Sequence, residues 1–189
     1  MTKRVVAAFD FDGTITRRDT LVPFLRQYGS WKLTRTTLET LLRVRRKGLR
    51  DSLKESILRE LFRGFPTDEL EKDGGDYAAN LPRLYRQEIV ERIGGHRSKG
   101  HELVLVTASL GCYARPAAQA LGFDHTIAVE LASKSGRLTG EMTGLNIRGP
   151  EKARLLRSYL GYAEVDLWAY GNSSGDKEML QMANHAKKI

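Results

Sequence analysis

Apolar residues in this chain are concentrated in short runs, and segments with helical spacing separate these runs. The run at 5–9, VVAAF, contains no polar side chain, which predicts a strand buried on both faces, as in a parallel sheet. Three similar runs follow in the second half of the chain, at 102–106, 125–129 and 165–170. Helical spacing appears at 113–121 and 150–160, and a turn-rich segment predicts a hairpin around 134–137. The alternation of strands and helices predicts an α/β fold in which helices cover a parallel sheet.

A block of helices is predicted between the first two strands, because residues 20–100 show no alternating pattern of apolar and polar positions. The predicted helices are 21–28, 33–47, 53–62, 67–79 and 82–93. Glycine pairs are common where helices break, so we expect Gly74-Gly75 to interrupt or kink the fourth helix and Gly94-Gly95 to end the fifth.

This block divides the chain into two predicted domains. Residues 17–100 form an all-helical cap, inserted after the first strand into a core domain of residues 1–16 and 101–189. Gly13 and Gly94-Gly95 flank the insertion, and we expect them to act as hinges. A final helix is predicted after the last buried strand, with no further strand behind it.

Polar residues stand where the predicted strands end. Asp10 and Asp12 end the first strand, and side chains two apart on an extended chain point the same way, roughly 6.5–7 Å apart. That spacing suits a phosphoryl group, which one carboxylate attacks while the other serves the leaving oxygen; Gly13 then allows a sharp turn. Thr107 and Asn172 follow two other strands, and ligands of such sheets bind at the carboxyl ends of the strands. A solvated acidic turn is the alternative interpretation.

Four sequence motifs together resemble those of haloacid dehalogenase superfamily phosphatases. They are FDFDGT with Asp10 and Asp12, LVLVT with Thr107, GPEKARLL with Lys152, and YGNSSGDKEML with Asn172 and Asp176. The residues of the second and fourth motifs are similar to those of the phosphoserine phosphatase-like branch. The helical insertion between the first and second motifs resembles the cap of that branch. The resemblance implies a Rossmann-like, three-layer parallel-sheet core with a helical cap.

The resemblance also implies a role for each matched residue. Asp10 would be the nucleophile, and Asp12 the general acid and then the general base. Thr107 and Lys152 would stabilise the phosphoryl oxygens. The implied phosphate-binding set is Gly13, Thr107, Ala108, Ser109 and Lys152, and the implied Mg²⁺ ligands are Asp10, Asp12 through its main-chain carbonyl, Asn172 and Asp176. Ser109 is equally compatible with capping the next helix.

One position departs from the commonest pattern of the family. Many relatives carry Asp where this chain has Asn172, and an amide oxygen coordinates Mg²⁺ without contributing charge. We therefore expect weaker Mg²⁺ binding than in an Asn172→Asp variant, with Asp176 binding the metal directly or through a water.

Composition narrows the class of protein. The chain has 189 residues, a formal net charge of +8 and a single cysteine, Cys112, which excludes a disulfide framework and a cysteine-based zinc site. No apolar run approaches the ~20 residues of a membrane helix, and the N-terminus lacks a signal-peptide pattern, so we expect a cytoplasmic protein. Residues 17–100 hold 19 of the 31 Lys/Arg and 12 of the 23 Asp/Glu. A basic segment of this kind attracts anions, although many are simply solvated helix faces.

The sequence therefore predicts a Mg²⁺-dependent phosphatase acting on a small-molecule phosphomonoester. Phosphoserine phosphatase proper is the nearest alternative, and Asp19 or Thr20 could then face the substrate. A different class is a non-catalytic protein that binds anions or nucleic acid through the basic cap, although the chain lacks interleaved aromatics and any nucleic-acid motif. Asn172 also leaves open a degenerate phosphatase retained for binding. Neither the substrate nor the oligomeric state follows from the sequence.

Overall fold

The computed structural model describes residues 4–29, 47–162 and 164–189, and its core is a parallel sheet of five strands. The described residues contain two further strands besides these five, and the full set is β1 (Arg4–Phe9), β2 (Glu102–Leu110), β3 (His125–Val129), β4 (Leu131–Lys134), β5 (Arg137–Met142), β6 (Val165–Gly171) and β7 (His185–Lys188). The order across the sheet is β3-β2-β1-β6-β7, and β4 and β5 form a separate antiparallel hairpin. The predicted α/β class and the hairpin are confirmed.

Helices cover this sheet, and four of those described lie between β1 and β2. The four between β1 and β2 are α1 (Leu21–Leu25), α2 (Lys47–Phe62), α3 (Thr67–Ala79) and α4 (Gln87–Ser98), and those after β2 are α5 (Gly111–Leu121), α6 (Pro150–Leu160) and α7 (Lys177–Gln181). Short helical turns occupy Phe11–Ile15, Leu81–Leu84 and Ser174–Asp176. The predicted helix at 33–47 falls almost entirely on residues 30–46, outside the described residues. Within the described ranges, none of the helices has the length and apolar content needed to span a bilayer.

Strand β1 lies at the centre of the sheet because its residues are buried on both faces. Val6, Ala7, Ala8 and Phe9 are each 0% exposed, and the register pairs Ala8 with β2 on one side and with β6 on the other. The ring of Phe9 stacks on that of Tyr170 at 4.3 Å between centroids. The carboxyl end of β1 therefore lies between those of β2 and β6.

Neither Gly74-Gly75 nor Gly94-Gly95 interrupts or ends its helix, because both pairs lie inside continuous helices. Helix α3 runs through Gly74-Gly75, and a Cβ on Gly74 would lie 2.5 Å from the carbonyl oxygen of Cys112, so this glycine permits close packing of α3 on α5. Helix α4 continues past Gly94-Gly95 to Ser98. Packing of the buried face of each helix offsets the low helix propensity of glycine, about 1 kcal/mol per residue.

The start of the predicted fifth helix was also wrong. Residues Leu81–Leu84 form a separate 3₁₀ turn, and α4 begins only at Gln87. The main-chain N–H of Arg86 donates to the carbonyl of Ile15 at 2.8 Å, which ties this break in the helix to the loop after β1.

Strand β7 was not predicted. Its sequence, HAKK, is exposed at every position, so it carries no apolar run or alternation that would indicate a strand. It pairs along β6 at the edge of the sheet, with His185 opposite Trp168. Lysines on an exposed edge strand are a common way of discouraging further strand pairing.

The β4–β5 hairpin packs against helix α2 and the turn that follows it. The N–H of Gly64 donates to the carbonyl of Leu138 at 2.8 Å, and the N–H of Leu138 donates to the carbonyl of Phe65 at 2.9 Å. A Cβ on Gly140 would lie 2.7 Å from the Cα of Arg59, so glycine permits this close approach. The contacts attach α2 to the second half of the chain and bring its buried face to the cavity described next.

Candidate active site

The carboxyl ends of β1, β2 and β6 and the first turn of α6 surround a cavity of about 390 Å³. All of the residues predicted for the site line this cavity: Asp10, Asp12, Gly13, Thr107, Ala108, Ser109, Lys152, Asn172 and Asp176. The structure therefore brings together residues from four separate segments of the chain.

Lys152 connects two buried carboxylates at the base of the cavity. Its Nζ donates to Asp10 Oδ1 at 2.7 Å and to Asp176 Oδ1 at 2.6 Å. The other oxygen of Asp10 accepts a hydrogen bond from Thr14 Oγ1 at 2.8 Å. Gly149, with φ +61°, turns the chain into α6, and its N–H donates to the carbonyl of Gly175 at 2.8 Å. This bond holds the first turn of α6, and with it Lys152, beside the loop that carries Asp176.

The charges of this group depend on burial and on one another. Burial raises the pKa of Asp10, while the ammonium of Lys152 counteracts that rise. Burial lowers the pKa of Lys152, but attraction to the two carboxylates outweighs it and the pKa is raised overall. Burial raises the pKa of Asp176, but Lys152 and the hydrogen bonds from Ser173 lower it by more, so this pKa is lowered overall. A charged lysine is thus held against the predicted nucleophile.

Asp176 is fixed by the turn that follows β6. Its Oδ2 accepts hydrogen bonds from the N–H of Asn172 (3.2 Å), the N–H of Ser173 (2.9 Å) and Ser173 Oγ (2.9 Å). Ser173 Oγ in turn accepts from the N–H of Gly175, which completes a capping box. Both oxygens of Asp176 are therefore engaged, one by Lys152 and one by this cap.

Asp12 is held at both of its oxygens. Oδ1 accepts from the N–H of Thr20 at 2.7 Å and from Thr20 Oγ1 at 2.6 Å, and Oδ2 accepts a short hydrogen bond from Ser109 Oγ. The Tyr113 hydroxyl lies 3.2 Å from Thr20 Oγ1. Burial, with repulsion from Asp19, raises the pKa of Asp12 to about 7. A carboxyl with this pKa can both give and take a proton near neutral pH.

Thr107 lies within β2, where the pairing with β3 is irregular between Val106 and Leu110. Its Oγ1 accepts a hydrogen bond from the N–H of Ser109 at 3.0 Å, and the residue is 1% exposed. This local bond turns the Thr107 hydroxyl and the Ser109 side chain toward the same cavity.

The chain after Asp12 turns at Gly13, which has φ +81°. A Cβ at this position would lie 1.9 Å from Asn172 Nδ2, so only glycine permits this approach of the first and fourth motifs. Asn172 Oδ1 is buried and accepts no hydrogen bond from the described residues. A buried amide oxygen of this kind needs a partner.

A family model for haloacid dehalogenase-like hydrolases matches residues 7–181. The chain belongs to this family. It is 35% identical over 189 residues to the protein CicA of Caulobacter vibrioides, a match covering 95% of this chain and 83% of CicA.

Solved structures agree with this family. A protein of unknown function from Bordetella pertussis Tohama I has a TM-score of 0.79 at 23% identity, over 95% of this chain and 87% of that one. A phospho-aspartyl intermediate analogue of phosphoserine phosphatase has a TM-score of 0.71 at 20% identity, over 96% and 84%. The predicted fold and its phosphoserine phosphatase-like branch are confirmed.

Members of the haloacid dehalogenase-like family typically use Mg²⁺, and the residues at this site fit such an ion. The buried Asn172 Oδ1 accepts no hydrogen bond from the described residues, and the Asp10 carboxylate lines the same cavity. Oxygen donors of these kinds are the ligands Mg²⁺ prefers. Among the described side chains, no group of three or more His, Cys, Asp or Glu residues could hold a metal.

Sequence reasoning missed several residues of this hydrolase site. Lys54 of α2 and Asn146 line the cavity and bond to each other, with Lys54 Nζ 2.7 Å from Asn146 Oδ1. Neither belongs to a motif, and in the sequence Lys54 is one of the 19 Lys/Arg of residues 17–100, with nothing to distinguish it from the others. Thr20 was considered for substrate contact, but it binds Asp12 instead.

Proposed function

We propose that this chain is a Mg²⁺-dependent phosphatase that hydrolyses a small-molecule phosphomonoester through an aspartyl-phosphate on Asp10. The observation that carries the proposal is the 2.7 Å contact between Asp10 and Lys152, two buried residues 142 positions apart. A lysine in this position attracts an anionic phosphoryl group to the carboxylate and stabilises the charge that develops in transfer.

In the first step, an oxygen of Asp10 attacks phosphorus and the ester P–O bond breaks. The leaving alkoxide takes the proton of Asp12, so the alcohol departs neutral. Lys152 and the Thr107 hydroxyl would hold the non-bridging oxygens. The hydrogen bonds from Thr20 and Ser109 keep the Asp12 carboxyl in one orientation, which is required for proton transfer to a defined oxygen.

In the second step, the ionised Asp12 takes a proton from water. The resulting hydroxide attacks phosphorus, the bond to Asp10 breaks, and inorganic phosphate is released with both carboxyls restored. A pKa of about 7 lets Asp12 serve as acid and then as base at neutral pH.

The Mg²⁺ site of this proposal consists of Asp10, the main-chain carbonyl of Asp12, and Asn172. When bound there, the ion would offset the repulsion between an anionic nucleophile and an anionic phosphate. Asp176, whose two oxygens are engaged by Lys152 and Ser173, would support the site by holding Lys152 and the Asn172 loop.

The test is phosphate release from an aryl phosphate, with Mg²⁺ and with a chelator. We expect turnover that requires Mg²⁺ and falls at least about 10³-fold in Asp10→Asn, since removal of a covalent nucleophile costs that order of rate. Asp68→Asn, an exposed change in the first turn of α3, is the matched control and should keep the wild-type rate. Full activity of Asp10→Asn would exclude Asp10 as nucleophile, and phosphate binding without turnover by the wild type would favour a binding protein.

Phosphoserine phosphatase proper is the more specific version of this function. It is supported by the resemblance to a structure of that enzyme and by Asp19, which lines the cavity. A phosphate-release screen over phosphorylated amino acids, alcohols, sugars and nucleotides tests it; a clear preference for phosphoserine is the expected result if it holds.

A further inference from the structure

Tyr113 of α5 carries a buried hydroxyl next to Thr20, the residue that holds one oxygen of Asp12. The Tyr113 side chain is 0% exposed, and its ring packs against those of Phe24 and Tyr77, at 4.9 Å and 5.3 Å between centroids. The Tyr113 oxygen lies 3.2 Å from Thr20 Oγ1. A buried tyrosine hydroxyl usually has a hydrogen-bond partner, and here the partner itself binds the proposed general acid.

The Thr20 hydroxyl has a single proton, and its two neighbours decide where that proton points. Asp12 Oδ1 lies 2.6 Å from Thr20 Oγ1, and the Tyr113 oxygen lies 3.2 Å from it. An ionised carboxylate only accepts, so the shorter and charge-assisted bond takes the Thr20 proton. Tyr113 is then the donor in the longer bond. Burial raises the pKa of Tyr113 well above 10, which keeps its proton in place. The donation therefore runs from Tyr113 to Thr20 and from Thr20 to Asp12.

The two oxygens of Asp12 have different surroundings. Oδ1 accepts from both the N–H and the hydroxyl of Thr20, a residue that is 0% exposed. Oδ2 accepts from Ser109 Oγ, and Ser109 lines the cavity. Two donors on Oδ1 disfavour a proton on that oxygen, because one of them would have to turn away. The proton that Asp12 gives to the leaving group therefore belongs on Oδ2, on the side of the cavity.

We propose that Tyr113 is a positioning residue for general acid catalysis, because it fixes the Thr20 hydroxyl as a donor to Oδ1 and so keeps the proton of Asp12 on Oδ2. The inference rests on the proposed function and adds a residue to its first step. In that step the proton moves from Oδ2 to the ester oxygen as the P–O bond breaks, and the electron pair of that bond stays on the oxygen. Without the Tyr113 hydroxyl, Thr20 Oγ1 is able to turn and accept a proton from Oδ1, which places the proton on the wrong oxygen.

The test compares leaving groups that differ in their need for a proton. 4-Nitrophenolate departs as a stable anion, whereas the alkoxide of benzyl phosphate, an ester of similar size, must be protonated. A positioned acid contributes about 10²–10⁴-fold, so we expect Tyr113→Phe to lose about tenfold in kcat/KM for benzyl phosphate and no more than about twofold for 4-nitrophenyl phosphate. Tyr28→Phe is the matched control, since it removes a hydroxyl that donates to Asp73 at 2.8 Å in the same aromatic cluster. It should leave the ratio of the two kcat/KM values unchanged.

Thr20→Val tests the route through which Tyr113 acts. This variant removes the Thr20 hydroxyl and keeps its N–H, so it should also lose activity selectively on benzyl phosphate. The double variant of Thr20→Val and Tyr113→Phe should be no slower than Thr20→Val alone, because Tyr113 then has no hydroxyl to orient.

Three results would overturn the inference and leave the proposed function standing. They are equal losses on the two esters in Tyr113→Phe, which a merely structural tyrosine would give, no loss on either ester, and additive losses in the double variant. A wild type that hydrolyses only 4-nitrophenyl phosphate also overturns the inference, because an alkyl ester then receives no acid catalysis. A wild type that hydrolyses neither ester overturns the proposed function, and the inference with it.

Discussion

Lys152 and Asp10 form a buried ion pair, with 2.7 Å between Nζ and Oδ1 and exposures of only 2% and 7%. A buried pair of this kind adds little net stability, since desolvation of the two charges offsets most of their attraction. Removing one partner is much more costly, because the other charge is left without compensation. The pair is therefore best understood as a feature of the proposed reaction site.

Lys152→Met should destabilise the protein strongly, because it leaves the Asp10 and Asp176 carboxylates buried without their common cation. We expect the free energy of unfolding at pH 7 to fall by about 3–5 kcal/mol, as measured by chemical denaturation. The exposed Lys177→Met is the control and should change it by no more than about 0.5 kcal/mol. Equal stability of the two variants would contradict the buried ion pair.

Asn172→Asp should bind Mg²⁺ more tightly than the wild type, because it adds a negative charge at the buried oxygen that faces the cavity. We expect a decrease in Kd of about tenfold or more in titration calorimetry without substrate. Asn80→Asp adds the same charge at an exposed site after α3 and should leave the Kd unchanged. Equal or weaker binding by Asn172→Asp would show that residue 172 is not a ligand.

The two neighbouring glycines of α3 should respond in opposite ways to alanine. At Gly75 no atom lies within 4 Å of a new Cβ, so Gly75→Ala should stabilise the protein by about 0.5–1 kcal/mol through helix propensity. At Gly74 the new Cβ would lie 2.5 Å from the carbonyl of Cys112, and Gly74→Ala should destabilise by about 1–3 kcal/mol. Thermal and chemical denaturation measure both; a similar effect at the two positions would argue against the close contact of α3 with α5.

The free energy of unfolding should fall in mild acid because the folded protein holds the His96 ring in its neutral form. Its ring nitrogens lie 2.8 Å from His101 Nδ1 and from the Tyr170 hydroxyl, and burial, together with His101 and nearby cations, lowers its pKa from 6.5 to about 4. As the pH falls, the unfolded chain takes up a proton on His96 below pH 6.5, whereas the folded chain does so only near pH 4. The contribution of neutral His96 to the free energy of unfolding is therefore complete above pH 6.5 and is lost as the pH falls from 6.5 to 4.

The measurement for His96 is the free energy of unfolding between pH 7 and pH 4. His96→Gln should show a shallower decrease than the wild type, by up to about one proton in the slope, whatever its absolute stability. Superimposable slopes for the two proteins would mean that His96 does not carry the effect.

The parts of the fold that the sequence predicted have a local physical origin. The runs at 5–9, 102–106, 125–129 and 165–170 are all strands in the structure, because predominantly apolar segments of this length are stabilised where the sheet buries them. Since the carboxyl ends of parallel strands lie at one edge of a sheet, the residues that follow these runs were expected to meet. Asp10, Asp12, Thr107 and Asn172 do line one cavity.

The parts that were wrong or missed depend on contacts between distant segments. Strand β7 is polar and exists through its pairing with β6, and the glycines of α3 and α4 stay helical because of what these helices pack against. In the sequence nothing distinguishes Lys54 from the other lysines of a basic helix. Its place at the cavity depends on the packing of α2 beside Ala108 and Asn146.

The amino-acid sequence by itself determined the four apolar strands, the helices between them and which polar residues stand at the ends of those strands, because burial periodicity and turn preference act over a few neighbouring residues. Only the tertiary structure decided that Lys152 joins Asp10 to Asp176, that Thr20 and Ser109 hold Asp12, and that Lys54 enters the cavity. Most of these contacts link positions far apart in the chain, and their strength comes from the exclusion of water when the helices close over the sheet.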